Sequence, residues 1–222
     1  MVDQLSRTLA AQRPARSLMP ITGGNYTSWG KLLFDSVIAF LVTAGILFWL
    51  IPLIGIAIRL ESPGPILFVQ MRTGRNGHPF RCLKFRTMRY KRNAEFLQAT
   101  PNDPRITRLG HLLRKTNLDE MPQFLNVLAG HMSIIGPRPH PIQLDAQYWQ
   151  SLPGYVNRYC VRPGITGLAQ ARGARGETAE WYKMHQRLRY DQWYIRRQSL
   201  GLDLMICWWT IAALFRKNNN AC

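Results

Sequence analysis

The chain has 222 residues, with 29 Lys and Arg against 12 Asp and Glu, giving a formal net charge of +17 and a sequence pI of about 10.6. That balance implies an anionic partner: nucleic acid, a phospholipid surface or a phosphorylated substrate. The length suits one domain with an appended membrane element. Cys82, Cys160, Cys207 and Cys222 form no CxxC pair, which points away from zinc and requires no disulfide.

Met1 to Ser28 places Arg7, Arg13 and Arg16 among small and polar residues, broken by Pro20, Gly23 and Gly24. It reads as a flexible basic leader near an anionic surface, without the apolar core of a secretory signal. Residues 29–60 read as a membrane helix. From Ser36 to Ile58 run 23 residues without a charge, long enough to cross a hydrocarbon core of roughly 30 Å. Lys31 precedes the stretch, and Arg59 and the basic remainder follow it. The tendency of positive charge to stay inside would keep both ends in the cytoplasm. Pro52 lies within the stretch and is expected to break the helix, since it lacks an N–H and crowds the preceding turn. The pattern predicts a helix that enters, turns at Pro52 and leaves on the same side; an ordinary single pass is the alternative. Asp35 is placed to pair with Lys31 one turn back, or with another basic residue at the interface.

Glu61 to Pro65 (ESPGP) is a boundary turn, and the catalytic domain is expected over residues 61–217, followed by a tail at 218–222. Ile66–Val69 and Phe80–Phe85 read as strands of a hairpin around Gly74–Gly77. Between Pro65 and Lys115 there are twelve Lys and Arg against two acids, Glu95 and Asp103. No zinc-finger spacing, aromatic RNA-binding motif or recognition-helix unit accompanies this band. A face toward anionic headgroups therefore fits better than nucleic acid.

Residues 103–139, DPRITRLGHLLRKTNLDEMPQFLNVLAGHMSIIGPRP, hold only three acids: Asp103, Asp119 and Glu120. Around them stand Arg105, Arg108, Arg114, Lys115 and Arg138. Guanidinium forks and ammonium charges hold phosphoryl oxygens, and a carboxylate can attack phosphorus or hold a divalent metal. Helical spacing covers Ile106–Leu113 and Met121–Leu128, with Asn117 expected to cap the second helix and put Asp119 and Glu120 in its first turn. Pro137, Arg138 and Pro139 form a stiff turn that presents one guanidinium, either a phosphate contact or simply a rigid loop. Arg158 and Arg162 are a basic pair, and Arg172 to Gly176 (RGARG) is a second glycine-rich basic loop. Glu180–Arg197 reads as a charged, aromatic helix. Leu200–Phe215, with Trp208, Trp209 and a basic end at Arg216 and Lys217, reads either as a helix in the membrane interface or as core. The fold expected is α/β-type, mostly helical with a short β-hairpin.

In order along the chain, SPGPILFVQMRTG, FRCLKFRTM, the 103–139 stretch, RPGITGLAQ, YDQWYI and SLGLDL resemble the bacterial sugar transferases known as monotopic phosphoglycosyl transferases. These are the polyprenyl-phosphate hexose-1-phosphate transferases of exopolysaccharide synthesis. The resemblance spans about Lys31 to Thr210. It implies transfer of a sugar-1-phosphate from a UDP-sugar to undecaprenyl phosphate with release of UMP, on the cytoplasmic face of the inner membrane among anionic lipids. It also implies Asp119 as nucleophile, Glu120 as ligand of a Mg²⁺ cofactor and Arg114 on the lipid phosphate. Lys84 and the Pro137–Arg138–Pro139 turn would lie near the nucleotide. GPRPH and RGET look most like members that transfer glucose or galactose phosphate. The absence of further N-terminal helices resembles a minimal catalytic form. Two positions depart from the pattern: Ile51 where serine often precedes the membrane proline, and His131 where an acid is common. No nucleic-acid partner is expected, and homo-oligomerisation is left open. The rivals are a non-enzymatic, membrane-anchored basic module binding anionic lipid or nucleic acid, and hydrolysis of the same diphosphate.

Overall fold

A computed structural model of the chain describes residues 29–91, 100, 103–174 and 181–215. The basic leader, the 218–222 tail, the end of the RGARG loop with its RGET stretch, and Arg216 and Lys217 lie outside them. The described residues are mostly helical, with two small two-stranded sheets.

Helices α1 (Trp29–Val42) and α2 (Phe48–Glu61) form one unbroken run of 33 residues, joined by a π-helical turn over Thr43–Leu47. By length and composition the run is apolar enough to cross a membrane, with a mean hydropathy of 2.6 over its most apolar window. Pro52 lies inside α2, and the helix does not stop there. A second irregularity, the π-helical turn over Thr43–Leu47, lies ahead of it. Pro52 offers no N–H to the Phe48 carbonyl. In the wide turn ahead of it, Phe48 N–H donates to the Thr43 carbonyl, and Trp49 Nε1 donates to the Gly45 carbonyl at 2.9 Å.

One stripe of this helix is buried along its whole length, through Lys31, Asp35, Ala39, Leu47, Leu50, Ile54 and Ile58. The opposite face exposes Trp29, Phe40, Phe48, Leu53, Ile56 and Leu60. Two polar anchors hold the N-terminal half. Lys31 Nζ lies 2.5 Å from Asp203 and 3.4 Å from Asp35, and Asp35 Oδ1 accepts from Ser133 Oγ and Ile134 N–H, both at 3.0 Å. The C-terminal half packs on Phe85 and Leu113.

The hairpin pairs β1 (Leu67–Thr73) with β2 (Pro79–Phe85), in register Phe68 with Lys84 and Arg72 with Phe80. Asn76 and Gly77, with φ of 56° and 76°, make its turn. The first strand runs past the expected Val69, because Gln70 and Arg72 bond to each other and Arg72 turns into the core. Helix α3 (Arg108–Thr116) is capped by Thr107, whose side chain accepts from Gly110 N–H. Asn117 does not cap the next helix. It closes α3 in the left-handed region at φ 57°, which asparagine tolerates. Asp119 and Glu120 then occupy a 3-10 turn, Leu118–Glu120, ahead of α4 (Gln123–Leu128).

The second sheet pairs β3 (Ser133–Ile135) in parallel with β4 (Gly164–Thr166). Between them in sequence come α5 (Ile142–Tyr148) and a 3-10 turn, Tyr155–Cys160. A Cβ on Gly164 would lie 2.1 Å from the Gly136 nitrogen, so glycine is what lets the proline turn close on this strand. After α6 (Leu168–Ala171), helix α7 (Trp181–Arg196) fills the core with Met184, Leu188, Tyr194 and Ile195. Helix α8 (Leu200–Phe215) covers the expected span. One face packs in the core through Leu202, Asp203 and Ile206, while Leu200, Leu204, Met205, Trp208 and Ile211 are exposed.

Candidate active site

Two apolar neighbours pin the acid pair. Leu118 before it and Met121 after it pack on the cluster formed by Leu47, Leu50, Ile54, Ile58, Phe85 and Leu113. The carboxylates therefore sit where the globular part meets the apolar helix. Register brings Lys84 in from β2, and the proline turn brings in Arg138.

Lys84 Nζ donates to Glu120 Oε1 at 2.6 Å and lies 3.9 Å from Asp119 Oδ2. Arg138 grips Glu120 with both arms: Nη1 donates to Oε2 at 3.0 Å, and Nη2 donates to Oε1. Arg114, on the last turn of α3, donates from Nε to Thr87 Oγ1 at 2.9 Å and lies near enough to act on the charge of Asp119. Gly110 makes this approach possible, since a Cβ there would lie 2.0 Å from the Thr87 carbonyl oxygen. Thus Asp119, Glu120, Lys84, Arg138 and Arg114 are brought together, with Pro137 and Pro139 flanking Arg138. Pro52 stands apart on α2, beside Gly55 and Ile66. Asp103 engages Arg105 instead, with Arg105 Nε donating to Oδ1 at 2.9 Å.

The adjacent carboxyls are driven in opposite directions. Burial pushes Asp119 above the usual carboxylate value, and the neighbouring Glu120 charge adds to that, while Lys84, Arg114 and Arg138 pull back. Burial works on Glu120 in the same sense, but Arg138 and Lys84 prevail and hold it well below the usual range. Two carboxyls split by their surroundings suit two separate roles.

The donor set also fits a hard divalent cation. A carboxylate offers about four lone-pair sites, and three of those on Glu120 are taken by N–H groups. Among the described residues no group of three or more His, Cys, Asp or Glu gathers into a metal cage. Mg²⁺ commonly uses one or two carboxylates, with substrate phosphates and water completing the shell. Glu120, with a lone-pair site left, would be such a carboxylate.

Sequence reasoning did not find the groups behind this site. Arg72 was hidden in a strand that seemed to end before it. Arg158 was paired with Arg162 by proximity in sequence, yet it is buried while Arg162 lines a separate cavity with Arg75 and Lys31. His140, Asp145, Tyr155 and Asp191 carried no local signal.

A family model described as bacterial sugar transferase matches residues 26–217. The chain belongs to the bacterial sugar transferase family. An Escherichia coli UDP-glucose:undecaprenyl-phosphate glucose-1-phosphate transferase is 49% identical over 159 residues, 71% of this chain and 34% of that protein. A Caulobacter vibrioides protein of the same name is 46% identical over 190 residues, 85% of this chain and 71% of that one. The exopolysaccharide production protein PSS of Rhizobium leguminosarum is 43% identical over 186 residues, 82% and 91% of the two chains. The chain thus spans about a third of the length of the Escherichia coli relative. Membership of this family, with the long apolar helix, associates the protein with a membrane.

Proposed function

We propose that this bacterial sugar transferase moves a hexose-1-phosphate, glucose or galactose phosphate, from a UDP-sugar to undecaprenyl phosphate, in two displacements through Asp119. In the first, an Asp119 carboxylate oxygen attacks the phosphorus that bears the sugar. A P–O bond to Asp119 forms, the P–O bond to UMP breaks, and UMP leaves with the bonding pair. In the second, a phosphate oxygen of undecaprenyl phosphate attacks the same phosphorus. The bond to Asp119 breaks, the carboxylate is regenerated, and undecaprenyl-diphosphate-sugar departs. The split into two steps is what a covalent intermediate provides.

The observation that carries this reading is the pairing of a buried Asp119, made more basic by its surroundings, with a Glu120 held anionic by Lys84 and Arg138. A bound Mg²⁺ would neutralise diphosphate charge, and Glu120 would hold it. Arg114 suits the acceptor phosphate, since it approaches Asp119 from α3, which packs against the apolar helix. Lys84 and Arg138 suit the donor's diphosphate end.

The same reading includes a helix that enters the cytoplasmic leaflet of the inner membrane and returns. Its two ends are bonded to one globular body: Lys31 to Asp203 at one end, and at the other Glu61 Oε1 accepting from Leu109 N–H at 3.1 Å and the Ser62 carbonyl accepting from Arg86 Nη2 at 2.6 Å. Ties from both ends to one globular body support this reading over a straight passage. The exposed faces of α1–α2 and α8 fit contact with acyl chains, and the basic band fits anionic headgroups.

Release of nucleoside monophosphate, measured over a panel of nucleotide sugars with and without undecaprenyl phosphate, tests the proposal. UMP release from a UDP-hexose with matching formation of lipid-linked sugar is expected. Acceptor-independent multiple turnover to free sugar phosphate would identify a hydrolase instead.

A further inference from the structure

The turn that carries Arg138 is built unusually. Pro137 and Pro139 supply no N–H, so the segment must be held from its carbonyl side. Each carbonyl from residue 137 to 140 is engaged. The Pro137 carbonyl accepts from Gly164 N–H at 2.9 Å and the His140 carbonyl from Thr73 N–H at 3.3 Å. The other two accept from buried guanidiniums: the Arg138 carbonyl from Arg158 Nη2 at 2.9 Å, and the Pro139 carbonyl from Arg72 Nη1 at 2.7 Å.

Arg158 is 2% exposed, and each of its three nitrogens has a partner. A guanidinium has five N–H groups in a fixed fork. Nε and Nη2 both donate to Asp191 Oδ2, at 3.2 and 2.8 Å, and Nη2 also donates to the Arg138 carbonyl. Nη1 donates to the Tyr155 hydroxyl at 3.1 Å and lies 2.6 Å from His140 Nδ1. Burial, with Arg158 and Arg187, holds the pKa of His140 well below the ordinary value. Tyr155 passes the chain on by donating to Asp145 at 2.6 Å. Burying an ion pair is a weak route to stability, since apolar residues of the same volume often serve as well or better. A fork with every nitrogen engaged, one of them on the backbone of a residue in the site, does fit a role in alignment.

We propose that Arg158, locked by Asp191, is a positioning residue: by holding the carbonyl of residue 138 it aims the Arg138 guanidinium at Glu120. The inference rests on the transfer reading given above. Arg158 itself touches neither acid of the pair and acts only through Arg138.

Arg158→Lys keeps the charge beside Asp191, but a point-charge ammonium cannot span both Asp191 and the carbonyl in the same fixed geometry. Losing a charge-assisted hydrogen bond of this kind is expected to lower kcat by about 10- to 100-fold, with the KM for undecaprenyl phosphate unchanged. In an Arg138→Ala background the same substitution should cost less than about twofold, because the side chain it aims is gone. A merely structural arginine would impose the same fold-loss in both backgrounds, and that result overturns the proposal. Hydrogen exchange of the full-length protein in nanodiscs gives a readout independent of activity. In Arg158→Lys the peptide covering residues 133–142 should exchange faster while the β1–β2 hairpin stays unchanged. Unchanged exchange at 133–142 also overturns the proposal. If Arg158→Lys does not fold, Asp191→Asn loosens the same fork and enters the same cycle. Should the wild-type protein transfer no sugar phosphate from any donor, the transfer reading fails, and the exchange measurement alone decides whether Arg158 holds the turn.

Discussion

Asp119 and Glu120 are one peptide bond apart, yet their surroundings make them different reagents. Glu120 spends its charge on Lys84 and Arg138, and Asp119 stays buried with a raised pKa. Asp119→Asn is expected to abolish transfer, because an amide cannot serve as the attacking oxyanion; substantial turnover by this variant would sink the assignment. Glu120→Gln should reduce transfer at least 100-fold and weaken the Mg²⁺ dependence, and EDTA should reproduce the loss in the parent enzyme. The pH dependence has a definite sign. Attack requires the deprotonated carboxylate, and the pKa of Asp119 is raised above the ordinary 3.8. Single-turnover rates should therefore fall on acidification at a pH higher than an unperturbed aspartate would give. In Arg114→Gln that acid limb should move further up, since one of the positive charges acting on Asp119 is removed. The acid pair was legible in the sequence because two adjacent acids stood alone in a basic stretch. Its wiring was not. Lys84 and Arg138 reach Glu120 from 36 and 18 residues away, and no local pattern encodes such a meeting. Arg158 and Asp191 were less visible still, since a buried arginine and a solvated one look alike in a sequence.

Among the elements, the charged, aromatic run Glu180–Arg197 covers all of α7, and the Trp-rich apolar run Leu200–Phe215 matches α8. The first strand of the hairpin was cut short because a buried arginine broke its alternation. The turn at Asn117 was misread: a residue suited to helix N-caps is equally suited to a left-handed C-cap, and only the path of the chain decides between them. The Lys31–Asp35 pair is legible one helical turn apart and forms at 3.4 Å, whereas Asp203 gains meaning only when α1 and α8 meet over Lys31. Lys31→Met would leave both carboxylates buried without their cation. It should cost about 3–5 kcal/mol, read as a lower unfolding midpoint in detergent. The crossing of β4 under the proline turn admits no side chain. Gly164→Ala would set a Cβ 2.1 Å from the Gly136 nitrogen, so backbone must move. Transfer should fall more than stability, as measured by activity and melting on the same preparation, because Arg138 is displaced from Glu120.

On the proposed reading, a soluble donor and a membrane-bound acceptor meet at one pair of acids. A single apolar helix, tied at both ends to the globular part, runs beside them. Single cysteines at Thr27 and Asn76, in a background lacking the native cysteines, should both resist an impermeant thiol reagent applied from the periplasm. Ready labelling of Thr27→Cys alone would mean a single-pass helix and would leave the chemistry at Asp119 intact. Pro52→Ala removes a residue that disfavours helix by about 3 kcal/mol. It should shift part of the population toward that single-pass pattern and lower activity, measured by the same labelling. In the proposed reaction the enzyme itself carries the sugar phosphate between its two substrates. The decisive experiment incubates the protein in acceptor-free nanodiscs with UDP-hexose, then measures UMP and maps the protein by mass spectrometry. UMP released in proportion to enzyme, a hexose-phosphate adduct on the peptide containing Asp119, and loss of that adduct when undecaprenyl phosphate is added are expected. UMP release that begins only with the acceptor, with no adduct at Asp119, would contradict the proposed reaction.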